Sequence, residues 1–140
     1  MGFATVKQAL DVPADEIWQL VSRFGDTSWM PAGTQVRLEG NGPGMKRFIN
    51  AGPGKVIQER LESIDAAART LVYTIPVNVP FPVTDYRATM RVTQSGAGCE
   101  LEWSASFTPA GGAPEAEIAK GIEGMYGLMI GWIGARARVR

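Results

Sequence analysis

The sequence contains no histidine and a single cysteine, Cys99. The first absence removes the side chain that ordinarily titrates near neutrality, the usual base beside a nucleophile and the commonest metal ligand. The second excludes an intrachain disulfide and any cysteine-rich metal centre. Neither sign of charge is in excess, because 14 lysines and arginines meet 14 aspartates and glutamates. A protein that tracks a phosphate backbone needs a basic face, so nucleic acid is not an expected partner. The local exception, Arg136, Arg138 and Arg140, ends a helical pattern, where cations complement the helix dipole. The glycine-rich stretches 40–44 and 50–54 fall between strand patterns instead of opening a helix, which excludes a phosphate loop of the nucleotide type. No metal and no cofactor is expected.

Long hydrophobic runs are also missing. The most apolar window, residues 125–135, is about half the roughly 20 residues a bilayer span requires, and glycines interrupt it. Membrane insertion is not expected. Residues 1–11 show no basic region followed by an apolar stretch, so no secretory signal is read and the expected location is the cytoplasm.

What is present is a chain of 140 residues, 45% apolar and 20% charged, which describes one soluble domain over residues 1–140. Residues 3–10 read as a strand. Pro13 with Asp15 and Glu16 opens a helix carrying Ile17, Trp18, Val21 and Phe24 at helical spacing, and Gly25 ends it. Beyond Trp29-Met30-Pro31 the pattern becomes one of strands at 34–39, 45–50, 55–64, 69–75, 83–93 and 99–108, separated by glycine, proline, asparagine and aspartate turns. Alternation puts Leu71, Tyr73 and Ile75 on one face, as it does Tyr86, Ala88, Met90 and Val92, and Leu101, Trp103, Ala105 and Phe107. The opposite face is polar, so one side is wet. A final helix carries Ile118, Ile122, Met125, Tyr126, Met129 and Ile133 on one stripe. Gly124, Gly127, Gly131 and Gly134 form a second stripe, readable as a homodimer interface or as a tolerated surface.

These elements predict an α+β fold: a curved seven-stranded antiparallel sheet wrapped around one long C-terminal helix, with two short helices between strands one and two. In that order the chain resembles the START-like, or helix-grip, superfamily that includes the birch-pollen-allergen fold. More narrowly, residues 12–18, Phe24-Gly25-Asp26, Trp29-Met30-Pro31, Glu59-Arg60-Leu61 with Asp65, and residues 103–107 resemble the polyketide cyclase/dehydrase and lipid-transport family. The resemblance covers nearly the whole chain and speaks for fold more than for chemistry, because such families host several functions.

Glu59 is the sharpest candidate residue. It shares strand parity with Ile57, Leu61 and Ser63, so a carboxylate is expected on the inward face. Unpaired, it would have a raised pKa and suit acid/base work. Paired with Arg47 or Lys46 on the neighbouring strand, it would be structural. The resemblance implies that this glutamate lines a ligand pocket, as its counterpart does in hormone receptors of the superfamily. Tyr73, Tyr86 and Trp103 point inward from three successive strands and Tyr126 faces them from the helix; they either stack a flat ligand or fill a core. Met90, Met125 and Met129 are flexible wall residues or gap fillers. By resemblance, loops 50–54 and 76–82 occupy gate positions, the second stiffened by Pro76, Pro80 and Pro82 around Phe81. The leading functional expectation is binding or transport of a small hydrophobic ligand, aromatic, polyketide-like or lipid-like, between sheet and helix. The alternatives are a cyclase, dehydratase or aromatase using Glu59, and a protein-interaction module with a vestigial cavity.

Overall fold

The computed structural model describes residues 1–139, so Arg140 of the terminal arginine trio lies outside the described residues. The elements are β1 (Gly2–Leu10), α1 (Ala14–Ser22), β2 (Val36–Glu39), β3 (Lys46–Asn50), β4 (Val56–Asp65), β5 (Thr70–Val77), β6 (Val83–Ser95), β7 (Gly98–Pro109) and α2 (Glu115–Arg138). The strands form one curved antiparallel sheet in the order β1-β7-β6-β5-β4-β3-β2. The long helix α2 packs against β1 and β7.

Alternation in β5, β6 and β7 buries the expected residues, from Leu71, Tyr73 and Ile75 through Tyr86 and Met90 to Trp103 and Phe107. The outer face pairs opposite charges across strands: Arg91 lies opposite Glu102, and Lys7 Nζ is 3.6 Å from a Glu102 oxygen. In β4 the alternation breaks. A register shift between Leu61 and Ser63 turns Ser63 outward and brings Ile64 against the core, so Ser63 does not share the inward face of Glu59 and Leu61.

Among the described residues a single helix, α1, stands between β1 and β2, where two short helices were expected. The segment after it is a chain of separate turns, closed by backbone bonds from Asp26 N–H to Arg23 O, Met30 N–H to Thr27 O and Thr34 N–H to Pro31 O. Two features prevent a helix. The Asp26 carboxylate accepts from both the backbone and the hydroxyl of Ser28, an alternative to helical bonding, and Pro31 disfavours helical backbone at Met30.

Helix α1 covers one end of the concave face, tied there by Ala14 N–H to Gln94 Oε1 at 2.9 Å. Along α2 the buried stripe is Ile118, Ile122, Tyr126, Ile130, Ile133 and Ala137. Ile130 joins that stripe, whereas Met125, expected on it beside Tyr126, is 39% exposed and Met129 is only partly buried. Successive helical residues are turned by about 100°, so with Tyr126 at the centre of the stripe its neighbour must lie on the flank. Of the four stripe glycines only Gly134 is packed. A Cβ there would lie 3.1 Å from Leu10 Cδ2, whereas at Gly124, Gly127 and Gly131 it would meet nothing within 4 Å.

Candidate functional site

The sheet and α2 do not close completely on one another. Between them, away from the α1 end, lies a cavity of about 340 Å³. Its sheet wall comes from Ile49 on β3, Ile57 and Glu59 on β4, Tyr73 and Ile75 on β5, Tyr86 on β6 and Trp103 on β7. The helix contributes Tyr126 with Met125, Met129 and Trp132, and loops supply Trp29, Met30 and Pro31 at one side and Pro80 and Phe81 at another. Ala51 brings the β3–β4 loop to the rim.

The aromatic side chains form a connected set. Trp103 and Tyr126 stack with centroids 4.8 Å apart and planes 15° from parallel, which joins sheet to helix. Trp29 and Tyr73 meet Trp103 edge-on, each at 6.4 Å, and Phe81 stacks on Tyr86 at 6.3 Å. Their polar tips are engaged with one another: Trp103 Nε1–H donates to the Tyr73 hydroxyl at 3.1 Å, and the Tyr86 and Tyr126 hydroxyls are hydrogen-bonded to each other. Burial pushes all three phenols well above their ordinary pKa of 10.0, and neighbouring phenols reinforce the shift. These groups stay neutral at physiological pH. They can donate or accept hydrogen bonds, but they do not supply a phenolate base.

Glu59 is 8% exposed and Arg47 5%, and the two are paired, Arg47 Nε to Glu59 Oε1 at 2.5 Å. Arg47 also donates from Nη1 to the Phe24 carbonyl at 3.0 Å and lies 3.8 Å from the Phe24 ring centroid. The structure thus realises the ion pair with Arg47 and not with Lys46, and both members line the cavity. An isolated acid of the kind that would suit proton transfer is not what β4 presents.

Of the eight candidate residues, Glu59, Tyr73, Tyr86, Trp103, Met125, Tyr126 and Met129 come together around the cavity. Met90 does not. It is 4% exposed, set between Leu71 and Trp103 on the neighbouring strands, and lies four residues, roughly 13 Å, along β6 from Tyr86 toward the end that α1 covers. Trp132, Met30 and Ile49 were not anticipated. Trp132 carried a legible signal, since Met125, Met129 and Trp132 recur at helical spacing beside the buried stripe. Met30 sits on an irregular loop without a period to read. Among the described residues no cluster of three or more histidine, cysteine, aspartate or glutamate side chains can hold a metal ion, and no helix is long and apolar enough to cross a membrane.

Comparison with known proteins agrees with this architecture. The family model described as polyketide cyclase/dehydrase and lipid transport matches residues 1–132. Among solved structures, an uncharacterised protein from Bacillus thuringiensis superposes with a TM-score of 0.82 at 27% identity, covering 96% of this chain and 98% of that one. A protein from Thermobifida fusca gives 0.78 at 29% identity, over 98% and 93% of the two chains. Norcoclaurine synthase from Thalictrum flavum, solved in complex with dopamine and hydroxybenzaldehyde, gives 0.79 at 17% identity, over 99% and 87%, a likeness of fold. No curated protein matches the sequence.

Proposed function

The chain belongs to the polyketide cyclase/dehydrase and lipid-transport family, within the START-like superfamily, and from that premise we propose that it binds or carries a small hydrophobic ligand between the sheet and α2. The observation that carries this reading is the cavity, whose volume falls at the lower end of the roughly 300–1,000 Å³ of small-molecule sites and whose wall is aromatic and methionine-rich with few polar groups. A ring-bearing, polyketide-like or compact lipid-like molecule suits such a wall. The stacked Trp103 and Tyr126 supply aromatic surface to that wall, and the thioethers of Met125 and Met129 can adapt to the ligand's shape. The proposal takes residues 1–140 as one unit acting in the cytoplasm.

Catalysis of cyclase or dehydratase type is the second reading, and the presence of Glu59 on the cavity wall favours it over a module with a vestigial cavity. It ranks lower because the carboxylate serves as counter-ion to Arg47 and because the tyrosines resist ionisation. Loss of turnover of a polyketide substrate in Glu59→Gln, with binding retained, would promote it.

The binding reading is tested by native mass spectrometry of the purified protein and by titration with the neutral dye N-phenyl-naphthylamine. A retained non-protein mass or one saturable dye site is expected, abolished in Met129→Trp, which fills the cavity. Protein that carries nothing and binds no dye overturns the proposal.

A further inference from the structure

The Arg47–Glu59 pair leaves part of its hydrogen-bonding capacity unused. Arg47 Nε and Nη1 are engaged by Glu59 Oε1 and the Phe24 carbonyl, but Arg47 Nη2 and Glu59 Oε2 have no protein partner. Among the described residues no side-chain nitrogen or oxygen is both buried and unpartnered. These two atoms therefore face accessible space, and the space that both residues line is the cavity. An apolar chamber thus presents, at one place on its wall, an N–H donor beside a carboxylate acceptor whose charges sum to zero.

We propose that the ligand is uncharged, with an apolar, ring-bearing body and a polar end that carries one hydrogen-bond donor next to one acceptor, as a carboxamide does. This deepens the binding function proposed above and rests on it. A carboxylate would meet Arg47 but also face Glu59, and an ammonium group would meet the reverse. Either brings into a low-dielectric chamber a net charge for which the wall holds no spare counter-ion. A hydrocarbon would strip water from Nη2 and Oε2 and leave both unsatisfied. Only a neutral group with donor and acceptor side by side completes both. Tyr73 accepts from Trp103 and the Tyr86 and Tyr126 hydroxyls bond each other, so a hydroxyl proton left over offers a single donor and not the donor–acceptor pair that Arg47 and Glu59 present.

Isothermal titration with four naphthalenes of identical ring body, bearing a methyl, carboxamide, carboxylate or aminomethyl group, separates the possibilities at neutral pH. The carboxamide is expected to bind about tenfold or more tighter than each of the others, the ratio of roughly one hydrogen bond to a charged group. In Glu59→Gln the carboxylate compound should gain about tenfold or more, since Arg47 then lacks its counter-ion. In Arg47→Met/Glu59→Leu, which replaces the pair by apolar groups and keeps the comparison open if the single variant does not fold, the methyl compound should bind best. Equal affinity of native protein for the carboxamide and methyl compounds, or tighter binding of either charged one, overturns the donor–acceptor reading and leaves binding itself standing. Failure of all four, and of the neutral dye, overturns both.

Discussion

Trp103 of β7 and Tyr126 of α2 lie face to face, 4.8 Å between ring centroids, and this stack is where the sheet grips the helix beside the cavity. Tyr126 also carries the hydroxyl that bonds Tyr86 on the next strand. Its two contributions can be separated. Tyr126→Phe keeps the stack but leaves the Tyr86 hydroxyl without that partner, and should cost about 1–3 kcal/mol in urea unfolding. Tyr126→Ala removes the ring as well and should cost about 3–5 kcal/mol. Equal losses would mean that the ring contributes nothing beyond its hydroxyl.

All three tyrosines of the chain, Tyr73, Tyr86 and Tyr126, stand in the cavity wall with pKa values raised chiefly by burial. The folded protein therefore holds these protons more tightly than the unfolded chain does. Their contribution to stability is complete below the unfolded value of 10.0 and declines above it. Three such groups steepen the decline to at most about 4 kcal/mol per pH unit. Tyrosinate absorbance near neutral pH should be absent, and above about pH 10 it should appear only together with the loss of circular dichroism. Ionisation at that pH in still-folded protein would show that the wall is wet.

The parts of this arrangement that could be read from sequence are those with a period. The wet outer face of β5, β6 and β7 made the inward positions of Tyr73, Tyr86 and Trp103 plain, because polar residues alternate with them. Where the backbone departs from regularity the reading fails, as at Ser63 beyond the shift in β4. β3 is only five residues long, too short to fix which way Arg47 points, so the pairing of Glu59 could be named as an alternative but not decided. Whether the wall encloses a space or fills it depends on how far α2 stands from the sheet, and that distance is set by many contacts at once.

The Arg47–Glu59 pair also makes a prediction about stability. Arg47→Met leaves the Glu59 carboxylate buried without its partner, which should cost about 3–5 kcal/mol. The Arg47→Met/Glu59→Leu double variant removes both charges and should recover most of that loss, because well-packed apolar groups commonly match a buried ion pair. Denaturant unfolding of the two variants gives the comparison. A double variant as unstable as the single one would mean that packing by the Arg47 side chain against Phe24, and not charge pairing, is what the site needs.

The glycines of α2 should divide by what surrounds them. A helical glycine costs about 1 kcal/mol relative to alanine, and at Gly124 and Gly131 a methyl group would meet nothing within 4 Å. Gly124→Ala and Gly131→Ala should therefore each raise stability by about 1 kcal/mol, and together their effects should add. Gly134→Ala should gain less or lose, since its methyl would press on Leu10 at 3.1 Å. At Gly98, outside the helix, a Cβ would stand 2.3 Å from the Leu10 carbonyl oxygen, a backbone atom that cannot swing aside. Gly98→Ala should be the most damaging of the four in thermal unfolding. A stabilising Gly98→Ala, or a destabilising Gly131→Ala in dilute monomer, would contradict the packing described for these two surfaces.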